Sequence, residues 1–89
     1  MKEAPFIFVC ERGFVLVGRI ASEDTLTISL YDVSVVRIWG TTRGLGQLAA
    51  EGPLPNTILD PEPDGVRQGR MSIYRQIPCD QQAWSKYGS

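Results

Sequence analysis

The chain has 89 residues, of which 43% are hydrophobic and 21% are charged, and its formal net charge is −1. This composition is typical of one globular domain, and the charge argues against a surface built mainly to bind nucleic-acid phosphates. No apolar run approaches the roughly 20 residues of a membrane span, and the first one, at positions 6–10, is too short for the core of a signal peptide. We therefore expect a cytoplasmic protein without a membrane partner.

The residue types restrict the chemistry that the chain is able to perform. It has no histidine, which removes the commonest general base and the usual partner of a catalytic serine or cysteine. Two cysteines without histidine do not supply the four ligands of a zinc site. We expect Cys10 and Cys79 to be free, buried thiols; a disulfide between them requires the first and last strands to be neighbours. The sequence predicts no metal site, no cofactor and no catalytic residues.

The first forty residues read as strands. Runs rich in β-branched and aromatic residues predict four of them, at 5–10, 14–20, 25–30 and 35–39. Gly18 inside the second run suggests a bulge or a sharp bend, as at the corner of a barrel. Links of two to four residues join antiparallel neighbours, because a parallel return needs a longer crossover. We therefore predict a mainly β domain: a small antiparallel meander that forms a partly open SH3-like or Sm-like barrel, with one short helix before the last strand.

The stretch "RGLGQLA" matches a known glycine pattern. Gly44, Gly46 and Ala49 fit the G-x-G-x-x-G/A turn that holds a dinucleotide pyrophosphate, and Asp64 lies at the expected spacing. The context does not fit, because the preceding strand ends an antiparallel meander and the helix has room for about two turns before Gly52. We interpret the stretch as a sharp turn into a short helix, with Thr41 or Thr42 as a candidate cap.

The second half contains a proline-rich acidic segment and a last strand. The segment 53–65 holds four of the six prolines, and we expect an extended or polyproline-like loop whose apolar "TIL" docks on the body. The last strand is predicted at 70–79. Residues 80–89 are expected to form a helical turn or tail, with Asp80 as its cap and Trp84 as its anchor.

Candidate binding residues gather where the fourth predicted strand leads into the helix. A tryptophan beside guanidinium and hydroxyl groups is able to stack on a base or to bind a peptide. The alternative is that the tryptophan covers the hydrophobic core and that the arginines are solvated. The predicted binding residues are Arg37, Trp39, Thr42, Arg43 and Gln47.

Two charged groups have both a functional and a structural interpretation. The carboxylates of Asp60, Glu62 and Asp64 are possible ligands for a hard cation, but Pro61 and Pro63 stiffen the segment and the spacing of a calcium loop is missing. The arginines that follow, at positions 67, 70 and 75, either contact a nucleic-acid backbone or compensate the acidic segment. We favour the structural interpretation for both groups.

The segment "VVRIWGTTRGLGQLAAEGP" resembles small uncharacterised proteins carried by phages and other mobile elements. Their pattern is a β meander ending in an aromatic residue, a glycine- or serine-containing turn, and then L-x-x-L-A-x-x-G. Here the pattern falls on Trp39, Leu45, Leu48, Ala49 and Gly52. The resemblance covers about half of the chain. The chain departs from the pattern of these proteins in its proline-rich segment. The resemblance implies an origin in mobile elements and carries no activity with it.

Two hypotheses for the function follow from these observations. The first is a non-catalytic binding module for a protein partner; nucleic acid is a possible but less favoured ligand. The second is a small oligomeric enzyme or effector whose site lies between subunits and uses Arg37, Arg43, Asp60 and Glu62. We also expect a homo-oligomer, because a core this small gains from burying Phe6, Phe8 and Trp39 across an interface.

Overall fold

A computed structural model of the chain describes residues 3–88 and has a mainly β architecture. Its strands are antiparallel and all belong to one sheet. The elements in chain order are β1 (Phe6–Cys10), β2 (Val15–Glu23), β3 (Thr27–Ile38), α1 (Leu45–Glu51), β4 (Ile58–Pro61), β5 (Val66–Gly69) and β6 (Ile73–Pro78). Short 3₁₀ turns, Glu11–Gly13 and Arg70–Ser72, precede β2 and β6.

The strand order is β4-β3-β2-β1-β6, and β5 pairs with the first half of β3. The sheet is bent and partly open, as predicted for a small β domain with one short helix. The predicted helix is present as α1, but two further short strands, β4 and β5, separate it from the last strand. Among the described residues every strand pair is antiparallel, so no crossover layer exists to hold a coenzyme.

The two faces of the bent sheet each bury a hydrophobic core. We call the cluster within the bend the inner core; its buried residues are Phe8, Cys10, Leu16, Ile28, Leu30 and Val33. The cluster on the opposite face is the outer core, where α1 and the C-terminal segment cover the sheet; its buried residues are Ile7, Val15, Val17, Val36, Leu48, Ala49, Cys79 and Trp84. Alternate residues of one strand therefore serve different cores, which explains the continuous apolar runs in β1 and β2.

The prediction of two separate strands at 25–30 and 35–39 was wrong. Both belong to β3, which continues through Asp32 at a left-handed φ of 52°. The pairing with β2 shifts register at Gly18, and a Cβ atom there would lie 3.2 Å from the Val33 side chain. The irregularity predicted at Gly18 is present, but its extra residue lies in β3: two steps of β2, from Val17 to Arg19, oppose three steps of β3, from Ser34 to Tyr31. It moves the inward positions of β3 from Leu30 to Val33, and this change of phase made one bent strand look like two.

The proline-rich segment 53–65 contains the strand β4, which pairs with the end of β3. Pro61 closes this strand, a position that tolerates proline because β4 has only one neighbour in the sheet. The expected docking of the apolar "TIL" is confirmed, since Ile58 and Leu59 pair with β3 and Leu59 packs against the outer core. The prolines and acidic residues predicted a loop, so the short edge strand within the segment was not predicted.

The C-terminal segment forms turns that cover the outer core. The Asp80 carboxylate accepts the backbone N–H of Ala83 at 2.8 Å, which confirms its predicted capping role. Trp84 is fully buried, which confirms it as the anchor, and its indole N–H donates to the carbonyls of Leu48 (3.1 Å) and Ala49 (3.2 Å) in α1. The last residue of the predicted tail, Ser89, lies outside the described residues.

No helix in residues 3–88 has the length and the hydropathy that a bilayer crossing requires.

Candidate functional site

The five predicted binding residues lie together at the junction between β3 and α1, but most of them serve local structure. The Arg37 guanidinium is 2.7 Å from the Asp60 carboxylate, and that of Arg43 is 3.0 Å from the carboxylate of Glu51. All four side chains are substantially exposed, so each pair contributes no more than about 1 kcal/mol to stability. The two arginines are thus engaged within the chain.

Gln47 holds the turn that leads into α1. Its side-chain oxygen accepts the backbone N–H groups of Thr42 at 3.0 Å and of Arg43 at 2.7 Å. The helix begins after Gly44, and the Thr41 hydroxyl accepts the N–H of Gly44 outside the helix, so the prediction of a threonine cap was wrong. The reason is that a glutamine in the first turn of a helix reaches back to N–H groups that precede it.

Trp39 is the remaining predicted binding residue at this junction. Its side chain is 43% exposed and stands beside Ile38, which is 45% exposed. Its backbone carbonyl accepts the Thr57 hydroxyl at 2.7 Å. The junction therefore offers a small apolar contact with little free polar chemistry around it.

The glycine pattern is a turn into a helix, as interpreted from the sequence. Gly44 has a φ of +89°, and α1 then runs for only seven residues before Gly52, whose φ is +82°. Gly46 lies inside the helix, and no atom comes within 4 Å of the position where its Cβ would be. The antiparallel strand β3 precedes the turn, whereas a dinucleotide turn follows a strand of a parallel sheet.

The acidic segment does not gather its carboxylates around a common point. Asp60 pairs with Arg37, and Asp64 accepts the backbone N–H of Asp32 at 3.2 Å. Within residues 3–88, no group of three or more His, Cys, Asp or Glu side chains is arranged to hold a metal ion. Glu62 lines a depression of about 280 Å³ beside the C-terminal segment. Of the residues proposed for a site between subunits, Arg37 and Asp60 thus pair with each other, while Arg43 and Glu62 lie apart from that pair.

The arginines of the basic stretch differ in their surroundings. Arg70 is 3.0 Å from the Glu23 carboxylate, which agrees with internal compensation. Arg67 lies near Asp24, whose pKa is lowered mainly by the backbone N–H groups of Thr27 and Leu26 and to a smaller extent by this arginine. Within the described part of the chain, Arg75 forms no ion pair.

Sequence reasoning missed a groove beside β6. The antiparallel pairing of β5 with the start of β3 continues into the turn between β2 and β3, where the N–H of Arg70 donates to the Leu26 carbonyl at 2.9 Å. The groove has a volume of about 210 Å³ and is lined by Ile28, Arg70, Ile73, Tyr74, Arg75 and Gln76. Three apolar or aromatic side chains at or beside it are exposed: Met71 by 91%, Leu26 by 70% and Tyr74 by 67%. We call the groove and these three residues the β6 surface.

Met71, which is exposed, is the residue from which this surface could have been predicted. The prediction of a strand over 70–79 placed it on one face of that strand together with Ile73. The residue instead lies in the 3₁₀ turn Arg70–Ser72, where its side chain points away from both cores. Leu26 is 45 residues away from Met71 in the sequence, and the antiparallel pairing of β5 with β3 brings the two segments together.

A buried polar network joins the two ends of the described chain to the sheet. Arg19 is 2% exposed, and its guanidinium donates to the Asp32 carboxylate at 3.0 Å and to the Tyr87 carbonyl at 2.9 Å. The Tyr87 hydroxyl donates to the Asp32 carbonyl at 2.7 Å and lies 2.8 Å from the Ser34 hydroxyl. Burial is the main cause that raises the pKa of Tyr87. No pattern in the sequence indicated this network.

Both cysteines are free and buried, as expected. β1 and β6 are neighbours, yet Cys10 pairs with Ile73 at one end of this ladder while Cys79 follows its other end. Burial raises the pKa of Cys10, and it raises that of Cys79 to about 12. Both thiols are therefore protonated near neutral pH and are poor nucleophiles.

Comparison with known proteins gives no relative: no family model, curated protein or solved structure matches the chain. The resemblance to proteins of mobile elements therefore stays a prediction.

Proposed function

We propose that the chain is a non-catalytic interaction module and that it binds a protein partner through the β6 surface. The observation that carries this proposal is a groove lined by the exposed Tyr74, with two more exposed apolar side chains next to its Arg70: Met71 follows it in the chain, and the Leu26 carbonyl accepts its N–H. Adjacent exposed apolar side chains mark interaction surfaces, and tyrosine, methionine and arginine are the residue types enriched at protein interfaces.

The charges around the groove favour a protein over a nucleic acid. Arg70 is compensated by Glu23, whereas Arg67 and Arg75 form no ion pair within the described residues; of these two, Arg75 lines the groove. The formal charge of the whole chain is −1. Nucleic-acid binding rests on several phosphate contacts and a clear basic excess, which this balance does not supply.

The residues with nucleophilic potential support a non-catalytic role. The thiols of Cys10 and Cys79 are buried and protonated, and the chain has no histidine to activate them. The groove itself offers a phenol, an amide and two guanidinium groups. This set suits recognition by hydrogen bonds, apolar contact and charge.

Three finer expectations stay predictions. The SH3-like or Sm-like description is supported by a bent antiparallel sheet that encloses the inner core. The mobile-element origin rests on the sequence resemblance. The structure supports self-association less than the sequence does, because Phe8 is fully buried within the chain. That leaves the exposed Trp39 and the half-buried Phe6 for such an interface.

The test compares two surface variants as baits. The double variant Met71→Ser/Tyr74→Ser removes the apolar part of the β6 surface, and Ile38→Ser/Trp39→Ser is the matched control at the β3–α1 junction. We expect a protein from a lysate of the cells that carry the gene to bind the original chain and the control, and to be lost from the first variant. The purified protein must then bind the purified chain in calorimetry.

Three results would overturn the proposal. One is capture that is unaffected by the Met71/Tyr74 change. Another is loss from the Ile38/Trp39 variant alone, which would move the site to the junction. The third is a salt-dependent affinity for DNA or RNA in an anisotropy titration without any protein partner, which would make the chain a nucleic-acid binder.

A further inference from the structure

The strands at the two sides of the sheet differ in how well their edges are protected. β4 and β5 share the far side of β3, have four residues each, and β4 ends at Pro61 beside the acidic side chains of Asp60 and Glu62. Short length, proline and charge are the means by which proteins protect a strand edge from pairing. β6 is longer, its only proline is its last residue, Pro78, and it carries one charged side chain, that of Arg75.

β6 keeps one unpaired edge. Among the described residues it pairs with β1 alone, in an antiparallel ladder that runs from Cys10–Ile73 to Phe6–Pro78 and shifts register at Tyr74, between the Cys10–Ile73 and Val9–Arg75 pairs. Its three central residues, 74–76, are all exposed. Alternate N–H and C=O groups of such a strand point away from its neighbour and are free to pair with an added strand.

The groove lies next to this edge. Its lining combines two residues that pack in or against the inner core, Ile28 and Ile73, with Tyr74 and Gln76 from the edge strand itself. An added strand places alternate side chains on the same face, so one of them enters the groove while its backbone pairs with β6. A volume of about 210 Å³ suits an apolar side chain of medium size.

The charge on β6 determines which kind of strand is able to pair with its unpaired edge. Arg75 lies in the middle of β6 and has no ion pair within the described residues. Two copies of β6 paired about a two-fold axis would bring like charges together, which is unfavourable. An acidic residue in the added strand would instead face an arginine whose charge is uncompensated.

We propose that the partner supplies an extended segment that joins the sheet as a strand along β6. This segment carries an apolar side chain for the groove, flanked by Asp or Glu residues that meet Arg75. The inference rests on the proposed function, since it specifies the form and the chemistry of the protein that the β6 surface binds.

The test begins with a displayed random-peptide library selected against the purified full chain. We expect the selected peptides to place an apolar residue between acidic ones. With a synthetic peptide of the selected sequence, Arg75→Glu should weaken binding roughly tenfold, because an attraction becomes a repulsion. Methylating a backbone nitrogen that pairs with β6 should weaken binding by a similar factor, because it removes a hydrogen bond. The matched control, Arg67→Glu on β5, should change the dissociation constant less than about twofold.

Several results would overturn the inference. They are a selection without acidic residues, equal binding to the Arg75→Glu variant, full binding of every backbone-methylated peptide, or dimers of the chain that Arg75→Glu abolishes in sedimentation.

The two proposals fail in different ways. If the natural partner depends on Met71 and Tyr74 but is indifferent to Arg75→Glu, the strand-addition inference fails and the proposed function stands. If no protein depends on Met71 and Tyr74, the proposed function fails.

Discussion

Arg19 and Asp32 form a buried ion pair, with 3.0 Å between guanidinium nitrogen and carboxylate oxygen, where β2 and β3 both bend. Arg19 follows the irregular pairing at Gly18, and Asp32 has the left-handed backbone of the bend in β3. The same guanidinium donates to the carbonyls of Glu3 and Tyr87. One buried cation therefore joins the bend of the sheet to both ends of the described chain.

Replacing Arg19 with methionine should strongly destabilise the fold, because it breaks the buried ion pair with Asp32 and removes the donor of the Glu3 and Tyr87 carbonyls. Breaking a buried pair in this way costs about 3–5 kcal/mol, a large part of the roughly 5–15 kcal/mol that stabilises a small domain. Urea unfolding measures the change. The control Glu23→Gln, which breaks the exposed pair with Arg70, should cost no more than about 1 kcal/mol. Equal losses for the two variants would contradict this role of Arg19.

Trp84 should contribute to stability through both its ring and its indole N–H. Trp84→Phe leaves the carbonyls of Leu48 and Ala49 without this donor, and we expect a loss of about 1–3 kcal/mol in urea unfolding. Trp39→Phe, at an exposed position, should change stability by less than about 0.5 kcal/mol. The remaining tryptophan of that control should also resist quenching by acrylamide. Easy quenching would mean that the C-terminal segment leaves the outer core.

The glycines of the "RGLGQLAAEG" stretch should respond differently to alanine. Gly46→Ala adds a methyl group in open space within a helix, so it should stabilise the protein by up to about 1 kcal/mol. Gly52→Ala should destabilise it by more than about 1 kcal/mol, because φ is +82° and the new Cβ would lie 2.4 Å from the carbonyl oxygen of Ala83. Thermal unfolding of both variants provides the comparison. A destabilised Gly46→Ala protein would contradict the interpretation of this stretch as a plain helical turn.

Local signals predicted the parts of this fold that depend on neighbouring residues. The irregular pairing at Gly18, the helix stop at Gly52, the Asp80 cap and the Trp84 anchor each follow from one residue type in a short context. The continuity of β3 was not predictable in this way, because the shift of phase at Asp32 depends on pairing with β2.

The candidate site depended on distant contacts and was therefore harder to predict. The junction residues Arg37 and Arg43 looked available in the sequence, but their acidic partners lie 23 and 8 residues further along. The β6 surface needs the pairing of β5 with β3, which brings Leu26 to Arg70. The hydrophobic pattern of a sequence predicts the strands, but it does not determine which of them become neighbours in the sheet.

Alkaline pH should weaken the fold. Burial raises the pKa of Cys79 from its usual 9.0 to about 12, and it also raises the pKa values of Cys10 and Tyr87. The unfolded chain then loses these protons at lower pH than the folded chain, so the stabilisation is complete below about pH 9 and declines as pH rises toward 12. Urea unfolding in reducing buffer between about pH 7 and pH 11 tests this, with a flatter profile expected for Cys79→Ala. Stability that stays constant or increases over this range would contradict the burial of these groups.

The most direct test of the central claim is a titration of the isotope-labelled chain with its captured partner, followed by backbone N–H chemical shifts in NMR. Binding at the β6 surface predicts the largest changes at Ile73, Tyr74, Arg75 and Gln76, with smaller ones at Leu26. Changes confined to Trp39 and to the turn that leads into α1 would contradict the account, because they would place the partner at the β3–α1 junction.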